Sequence, residues 1–377
     1  MESGRISDRI RSSSSPPSGS ETAVALPDDL LVEILSRVPA RSLCRFKCVS
    51  KHWLGLTNDR SYRRKLPRTL TGFYHGDQLA HSVVPFTNVS GSRHLTYPAF
   101  LPNGWRVKIR DCCNGLLLCC SYEVHEFCYI VFNPATEEWA ELPHSGYSGM
   151  MATISLCFDP AVSPHFHVLL LEVDQHGLGL AGVRVYSSET GKWVHKEKRW
   201  SAHIQLLNAW STIYLNGRLH FCAIVDGSVN LAAVDKEGEA RTNFHVPDGL
   251  DVGFIQQSQS CLHYAGFDTD SNDDDVVRLL VYVLKDYDSK EWILKHSIGT
   301  SHVFGGRHID DLHDDFDWFA IHPECNLIFF TLRGEDITFM CYDMDNGQVK
   351  VICNIEESEP PYFPYVPLYE ELQSLHK

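Results

Sequence analysis

Residues 114–139 read NGLLLCCSYEVHEFCYIVFNPATEEW. Asn114-Gly115 is a strong short-range hairpin signal, because both central residues of a two-residue type I′ turn need positive φ. The apolar run Leu116-Leu117-Leu118 that follows reads as a buried strand, and a second strand ends at Phe132. The string NPATEE then supplies turn formers, and Trp139 opens the next strand.

The same unit returns along the chain. Asn216-Gly217-Arg218-Leu219-His220 repeats the opening, and a polar turn residue lies 19 positions after each Asn, at Asn133 and Asp235. Phe132 precedes Trp139 by seven residues, Tyr186 precedes Trp193 by seven and Tyr342 precedes Val349 by seven, with SSETGK and DMDNGQ as the later turns. Looser copies run from Leu262-His263-Tyr264 to Trp292 and from Asn326-Leu327 to Tyr342. Anchors at Trp139, Trp193, about Thr242, Trp292 and Val349 are spaced 54, 49, 50 and 57 residues. A period near 50 in an all-strand texture predicts radially stacked four-stranded blades, a β-propeller of about five to six blades. The sixth would come from strands in 70–110 together with the C-terminal PYFPYVPLYEEL. A β-sandwich is the alternative. The propeller expectation places Trp139, Trp193 and Trp292 at equivalent points of their blades.

Upstream of residue 69 the texture is helical. Leu30, Ile34 and Val38 recur every four residues beside Leu31 and Leu35, with Pro27 at the helix start, Asp28 and Asp29 at the positive end of the dipole, and Pro39 ending the pattern. A second stretch carries Leu43, Phe46, Val49 and Trp53, with Arg41, Arg45, Lys47 and Lys51 on its other faces. Residues 1–70 hold 13 Lys+Arg against 7 Asp+Glu, whereas the remainder holds 20 against 41. The long acidic part is therefore a poor nucleic-acid binder, since phosphate contacts need clustered cations. About forty residues make a marginal independent core, so a partner is expected to complete the helical module.

Residues 26–53, LPDDLLVEILSRVPARSLCRFKCVSKHW, resemble an F-box: Leu26-Pro27, Ile34-Leu35, Val38-Pro39, Leu43, Arg45, Phe46, Val49-Ser50-Lys51 and Trp53 fall in register. NGLLLC, VFNPATEEW and FDP resemble the F-box-associated β-region of plant F-box proteins, and the glycine doublet of kelch repeats is missing from the units. The Arg-, Ser- and Pro-rich residues 1–24, with acidic Glu2, Asp8 and Glu21, read as a disordered tail, a transit peptide being the alternative. The resemblance implies an F-box over 25–68 and an F-box-associated, propeller-like domain over 69–377. It implies the substrate-recognition subunit of an SCF-type E3 ubiquitin ligase, bound to a Skp-type adaptor and through it to a cullin-RING ligase. Leu26, Pro27, Ile34, Leu35, Val38, Pro39, Leu43, Val49 and Trp53 would bind the adaptor or form the module's own core, in a division left open. A scaffold or decoy acting outside ubiquitination is the alternative.

Enzymatic chemistry is not expected. Gly177-Leu178-Gly179-Leu180-Ala181-Gly182 has the spacing of a dinucleotide loop but is followed by a strand instead of the helix such a site needs, so it reads as a hairpin loop. Asp268, Asp270 and Asn272 imitate a calcium loop without its required Gly and Glu. His165-x-His167 and His220-x-Cys222 give too few ligands for a metal. Thirteen cysteines without a CxxC pair suggest a reduced protein, expected in cytoplasm or nucleus. No apolar run reaches the roughly 20 residues of a membrane span, and neither catalytic residues, cofactor nor metal are expected. Client recognition is assigned to the less patterned stretches 144–151, 202–210, 247–259 and 299–316, with Tyr147, Trp210, Phe254 and Phe304 as candidate contacts.

Overall fold

The repeated units fold as antiparallel meanders in the computed structural model, which describes residues 26–38, 51–58, 70–76, 84–96, 106–123, 126–147, 153–174, 176, 179–198, 200–207, 212–247, 253–268, 278–287, 289–304, 316–334, 336–355 and 360–376. Six sheets are formed among these residues. Blade I holds β1 (Gly72–His75), β2 (Val84–Asn88) and β3 (Arg93–Thr96). Blade II holds β4 (Val107–Cys113), β5 (Leu116–Glu123), β6 (Glu126–Asn133) and β7 (Glu138–Leu142). Blade III holds β8 (Thr153–Cys157), β9 (His167–Val173), β10 (Leu180–Ser187) and β11 (Lys192–Glu197). Blade IV holds β12 (Ile204–Leu206), β13 (Thr212–Leu215), β14 (Arg218–Val225), β15 (Ser228–Asp235) and β16 (Ala240–His245), and both β12 and β13 pair with β14. Blade V holds β17 (Phe254–Ser258), β18 (Cys261–Phe267), β19 (Arg278–Leu284) and β20 (Trp292–Gly299). Blade VI holds β21 (Phe316–Ile321), β22 (Leu327–Leu332), β23 (Ile337–Asp343) and β24 (Gln348–Ile355). The last strand, β25 (Tyr362–Tyr365), returns to pair with β1 as the innermost strand of blade I.

The packing closes a ring. β25, β4, β8, β13, β17 and β21 neighbour one another in sequence around the axis. Six apolar clusters sit one between each pair of successive blades. Leu116, Leu118 and Val131 of blade II meet Leu156, Phe166 and Val168 of blade III. Phe267 and Leu279 of blade V meet Phe316 and Phe330 of blade VI. Phe73 of blade I meets Phe319 and Phe329 of blade VI, with ring centroids 4.7 and 5.0 Å apart. A strand buried on both faces explains the continuous apolar runs such as 116–118, and two stacked sheets could not produce this circuit. The fold is a six-bladed β-propeller, and the sandwich alternative falls.

The seven-residue hairpins are the outer pairs of their blades, with Phe132 opposite Trp139, Tyr186 opposite Trp193 and Tyr342 opposite Val349. Trp139, Trp193, Trp292 and Val349 each lean on the cluster shared with the preceding blade. The indoles of Trp193 and Trp292 make the same bond, donating to Pro143 O and His245 O of the preceding blade at 2.7 Å. In blade IV this place falls to Ala240, opposite Val234, two residues before Thr242. The shift follows from a shorter turn, six residues in place of seven.

The polar motifs settle into turns. Gly179 stands at the mouth of the β9–β10 hairpin, where Asp174 N donates to Gly179 O at 2.8 Å. Gly177 and Leu178 lie outside the described residues, as do Asp270, Asn272 and the rest of the acidic insertion.

The described helices of the N-terminal module are α1 (Asp28–Ser36) and α2 (Lys51–Asn58). Pro27 caps α1, and its carbonyl accepts from Leu30 N and Leu31 N. The second helix runs beyond Trp53, where the sequence pattern ended. A short turn of helix, α3 (Thr300–Val303), follows β20.

Candidate functional site

An α-helix advances about 100° per residue, so steps of four keep side chains on one face. On α1 that geometry divides the apolar residues in two. Leu30 and Ile34 lie on one face and are 52 and 49% exposed, and Leu26, which precedes the capping Pro27, is 49% exposed. Val32 and Leu35, on the far side, are 0 and 1% exposed. Leu56 of α2 is buried as well, and Asp28 Oδ1 lies 3.0 Å from His52 Nε2 across the two helices. Glu33 and Arg37 pair at 2.6 Å on the solvent side.

Among the candidate adaptor contacts, Leu26, Pro27 and Ile34 are exposed, Val38 and Trp53 are half-buried, and Leu35 belongs to the module's interior. Pro39, Leu43 and Val49 lie outside the described residues. Leu30 shares the exposed face of α1 with Ile34 and was not among the candidates, although its four-residue spacing from Ile34 already placed it there.

The candidate client contacts fare differently. Phe304 is 2% exposed, packed edge-on to Phe316 and Phe330 between blades V and VI, so it is spent on the core. Phe254 is half-buried against the same cluster. Tyr147 packs on the blade II–III cluster, with the Arg184 guanidinium 5.9 Å from its ring centre. Arg184 is itself paired to Glu172 and donates to Ser145 O at 3.1 Å. Trp210 lies outside the described residues. Aromatic rings beside a propeller's loops seal blade interfaces first, because they bring the largest apolar area.

Polar groups gather at the axis, at the end where innermost strands turn into second strands. Asn114-Gly115, Asn216-Gly217 and Gln259-Ser260 all take positive φ there. A bulge in β4 between Ile109 and Asp111 re-aims the Asp111 side chain. Its Oδ1 accepts from Cys112 N and its Oδ2 from Leu156 N, both at 2.7 Å, tying blade II to blade III. Burial raises this carboxyl to about 7 despite the two donors. Ser155 and Thr212 hydroxyls meet at 2.9 Å between blades III and IV, and Ser258 Oγ donates to His322 O at 2.7 Å between V and VI.

His220 and His263 are core histidines. His220 bonds Tyr287 Oη at 2.7 Å, and burial lowers both imidazoles to about 4, so they stay neutral near pH 7. Cys112 and Cys113 point into different blade interfaces, as neighbours on a strand must. Burial pushes the Cys112, Cys119 and Cys157 thiols well up, which suppresses their thiolates. Among the described residues no helix is long and apolar enough to cross a membrane.

Two family models match. The F-box domain model covers residues 25–65, and the model described as F-box protein At3g26010-like, beta-propeller covers residues 96–235, which run through blades II and III to β15 of blade IV. Two similar relatives come from Arabidopsis thaliana. F-box protein At5g07610 is 27% identical over 78% of this chain and 74% of its own length, and F-box protein At5g49610 is 26% identical over 74% and 80%. A protein from Lactobacillus plantarum is a looser backbone likeness, with a TM-score of 0.41 and 12% identity over 76% of this chain and 82% of that one. An F-box in general binds a Skp-type adaptor in SCF complexes, so the match assigns the chain a general substrate-adaptor role.

Proposed function

We propose that the chain is the substrate-recognition subunit of an SCF-type ubiquitin ligase, with the F-box ending near residue 68 and the propeller holding a client protein for ubiquitination. The exposed Leu26, Leu30 and Ile34 inside the F-box match support this reading most. Two aligned apolar side chains on a short helix, with Leu26 exposed just ahead of its cap, suit a helix-in-groove contact with an apolar site. The ligase's chemistry belongs to the enzyme it recruits, and the receptor contributes proximity between a client lysine and the charged thioester.

Replacing Leu30 and Ile34 together by Asp tests the reading. Neither side chain supports the α1–α2 core, so the propeller and helices should stay folded. Losing two interface leucine-sized contacts should weaken capture by a purified Skp-type adaptor at least tenfold. Unchanged capture would remove the F-box from the mechanism.

A further inference from the structure

A distant segment of the chain crosses blade II from axis to rim. Val366 lines the axial cavity together with Cys113 and Asn114, and Leu368 lies against Gly115, at the turn between β4 and β5. Asn133 Nδ2 donates to Leu368 O at 2.9 Å and to Glu370 O at 3.3 Å. Leu372 N donates to Glu138 Oε2 at 3.3 Å. At the outer edge Trp139 and His376 exchange both main-chain bonds, at 2.8 and 3.0 Å. A turn closed by Leu375 N and Leu372 O, 3.0 Å apart, brings both leucines to the apolar cluster between blades II and III. Residues 366–376 thus fill a groove whose floor is that cluster.

The groove is separable from the blade beneath it. The four strands of blade II pair in the order β4-β5-β6-β7, and the segment adds one bridge outside β7. An outer strand offers such an edge to an incoming chain. All of these bonds go to main-chain atoms of the segment, so they hold a backbone whatever its side chains. Selection among side chains falls to the places of Leu372 and Leu375, both buried. The resident segment fits imperfectly. Ser374, just before the second leucine, buries its hydroxyl oxygen without a hydrogen-bond partner among the described residues. An unpaired buried hydroxyl weakens the hold, and an aliphatic side chain in its place removes that loss. A segment with alanine there is a better occupant than the chain's own.

We infer that this groove is a docking site for a client segment with two leucines three residues apart and a small apolar residue just before the second, and that residues 366–376 are its tethered competitor. Tied to β25 through Pro367, the resident acts at an effective concentration of about millimolar. A weak or wrongly spaced segment is therefore held out. A matching segment enters by exchange, its leucines replacing Leu372 and Leu375, so the cluster between blades II and III remains covered. That the incoming segment belongs to a client rests on the receptor function proposed above, whereas the exchange itself does not.

Fluorescence anisotropy with the full-length chain tests the exchange. The probe is a labelled peptide copying residues 366–377 with Ser374→Ala, and the control is the same peptide with Leu375→Asp as well. The probe should bind the parent chain weakly and the control not at all. Leu375→Ala in the chain loosens the resident and should tighten the probe at least tenfold. Ser374→Ala in the chain improves the resident, so it should raise the thermal transition and weaken the probe roughly tenfold. This second variant decides the matter if the first fails to fold. Saturating probe should also speed hydrogen exchange at the Leu372 and His376 amides while the Trp139 amide stays protected. No binding to any of the three chains, equal binding of the control, or unchanged exchange at Leu372 and His376 would overturn the inference. Dimers that grow with chain concentration and are dispersed by the probe would give the groove to a second copy and overturn the client assignment. The adaptor is absent from this titration, so its failure is separate from failure of the F-box reading.

Discussion

In blade II the Asn114-Gly115 turn is roofed by the C-terminal segment, whereas its counterpart Asn216-Gly217 in blade IV faces open space. A Cβ built on Gly115 would fall 2.5 Å from Leu368 Cβ and 2.8 Å from Val366 O, and one on Gly217 meets nothing within 4 Å. The partner turn residues differ in the same way. Asn133 is fully buried, and its Nδ2 donates to Leu368 O at 2.9 Å. Asp235 instead accepts from Glu237 N and Glu239 N and pairs with Arg218 at 3.0 Å, all within blade IV. Two blades with one sequence pattern thus have different supports: blade IV is secured by its own residues, and blade II by a segment more than 200 residues away.

Removing residues 367–377 should break this difference most severely. The segment places Leu372 and Leu375 in the blade II–III cluster and pairs His376 with Trp139, at 2.8 and 3.0 Å. Losing two buried leucines costs about 4–8 kcal/mol, comparable with the whole stability of many domains. Hydrogen exchange should rise first at the Asn114-Gly115 turn and in β7, with blade IV following only on global unfolding. Uniform loosening of both blades would show that the tail has no preference for blade II.

Gly115→Ala and Gly217→Ala sharpen the comparison at one atom each. Both glycines have positive φ, at 90° and 75°, so each alanine incurs about 1–2 kcal/mol of backbone strain. Only at Gly115 does the methyl also strike backbone atoms of a packed segment, which adds roughly 1–3 kcal/mol of overpacking. Denaturant melts should therefore rank Gly115→Ala well below Gly217→Ala.

The pH profile separates the blades next. Three residues before its turn, blade II has Asp111, whereas blade IV has Ile213. The folded Asp111 carboxyl sits at about 7, above its ordinary value of 3.8. The native chain therefore holds this proton over a range where the unfolded chain has lost it. Its favourable contribution is complete below about pH 4 and declines as pH rises to about 7. The group opens on the axial cavity, so the decline should be about 1–2 kcal/mol, below the full value of its shift. Asp111→Asn should flatten that part of the stability curve, and an unaltered slope would assign it to other groups.

What the sequence made legible follows from the range of the interactions. Asn-Gly turns, the hairpin after Phe132 and the outer tryptophans depend on neighbours within about ten residues, so their pattern survives in the string of letters. The closure of β25 on β1 was readable as spare strands at both ends of the propeller. The grip of Leu368 on Gly115 was not, because leucines at 368, 372 and 375 have no periodic partner to announce them. The exposed face of α1 was partly readable: four-residue spacing aligns Leu30 and Ile34, but which face is covered depends on α2. Phe304 misled because an aromatic in an unpatterned stretch looks the same whether it faces solvent or a neighbouring blade. The axial cavity was invisible, since its lining comes from six separate turns and strands.

The smallest expected effect tests whether the two Asn-Gly turns differ in their first residue as well as their second. Asn114 and Asn216 have φ of 48° and 52°, so glycine relieves the same backbone strain at both positions. Their side chains do not match. Asn114 Nδ2 donates to Phe158 O at 2.6 Å, joining blade II to the loop after β8, whereas Asn216 is exposed at the cavity rim. Asn114→Gly leaves that blade III carbonyl with only the weak Cys113 Sγ donor at 3.4 Å and should lower stability by about 0.5–1.5 kcal/mol. Asn216→Gly should lie within about 0.5 kcal/mol of the parent, as surface substitutions do. Paired melts resolve this gap, and equal values would mean that the Asn114–Phe158 bond adds nothing to the blade II–III contact beyond its apolar cluster.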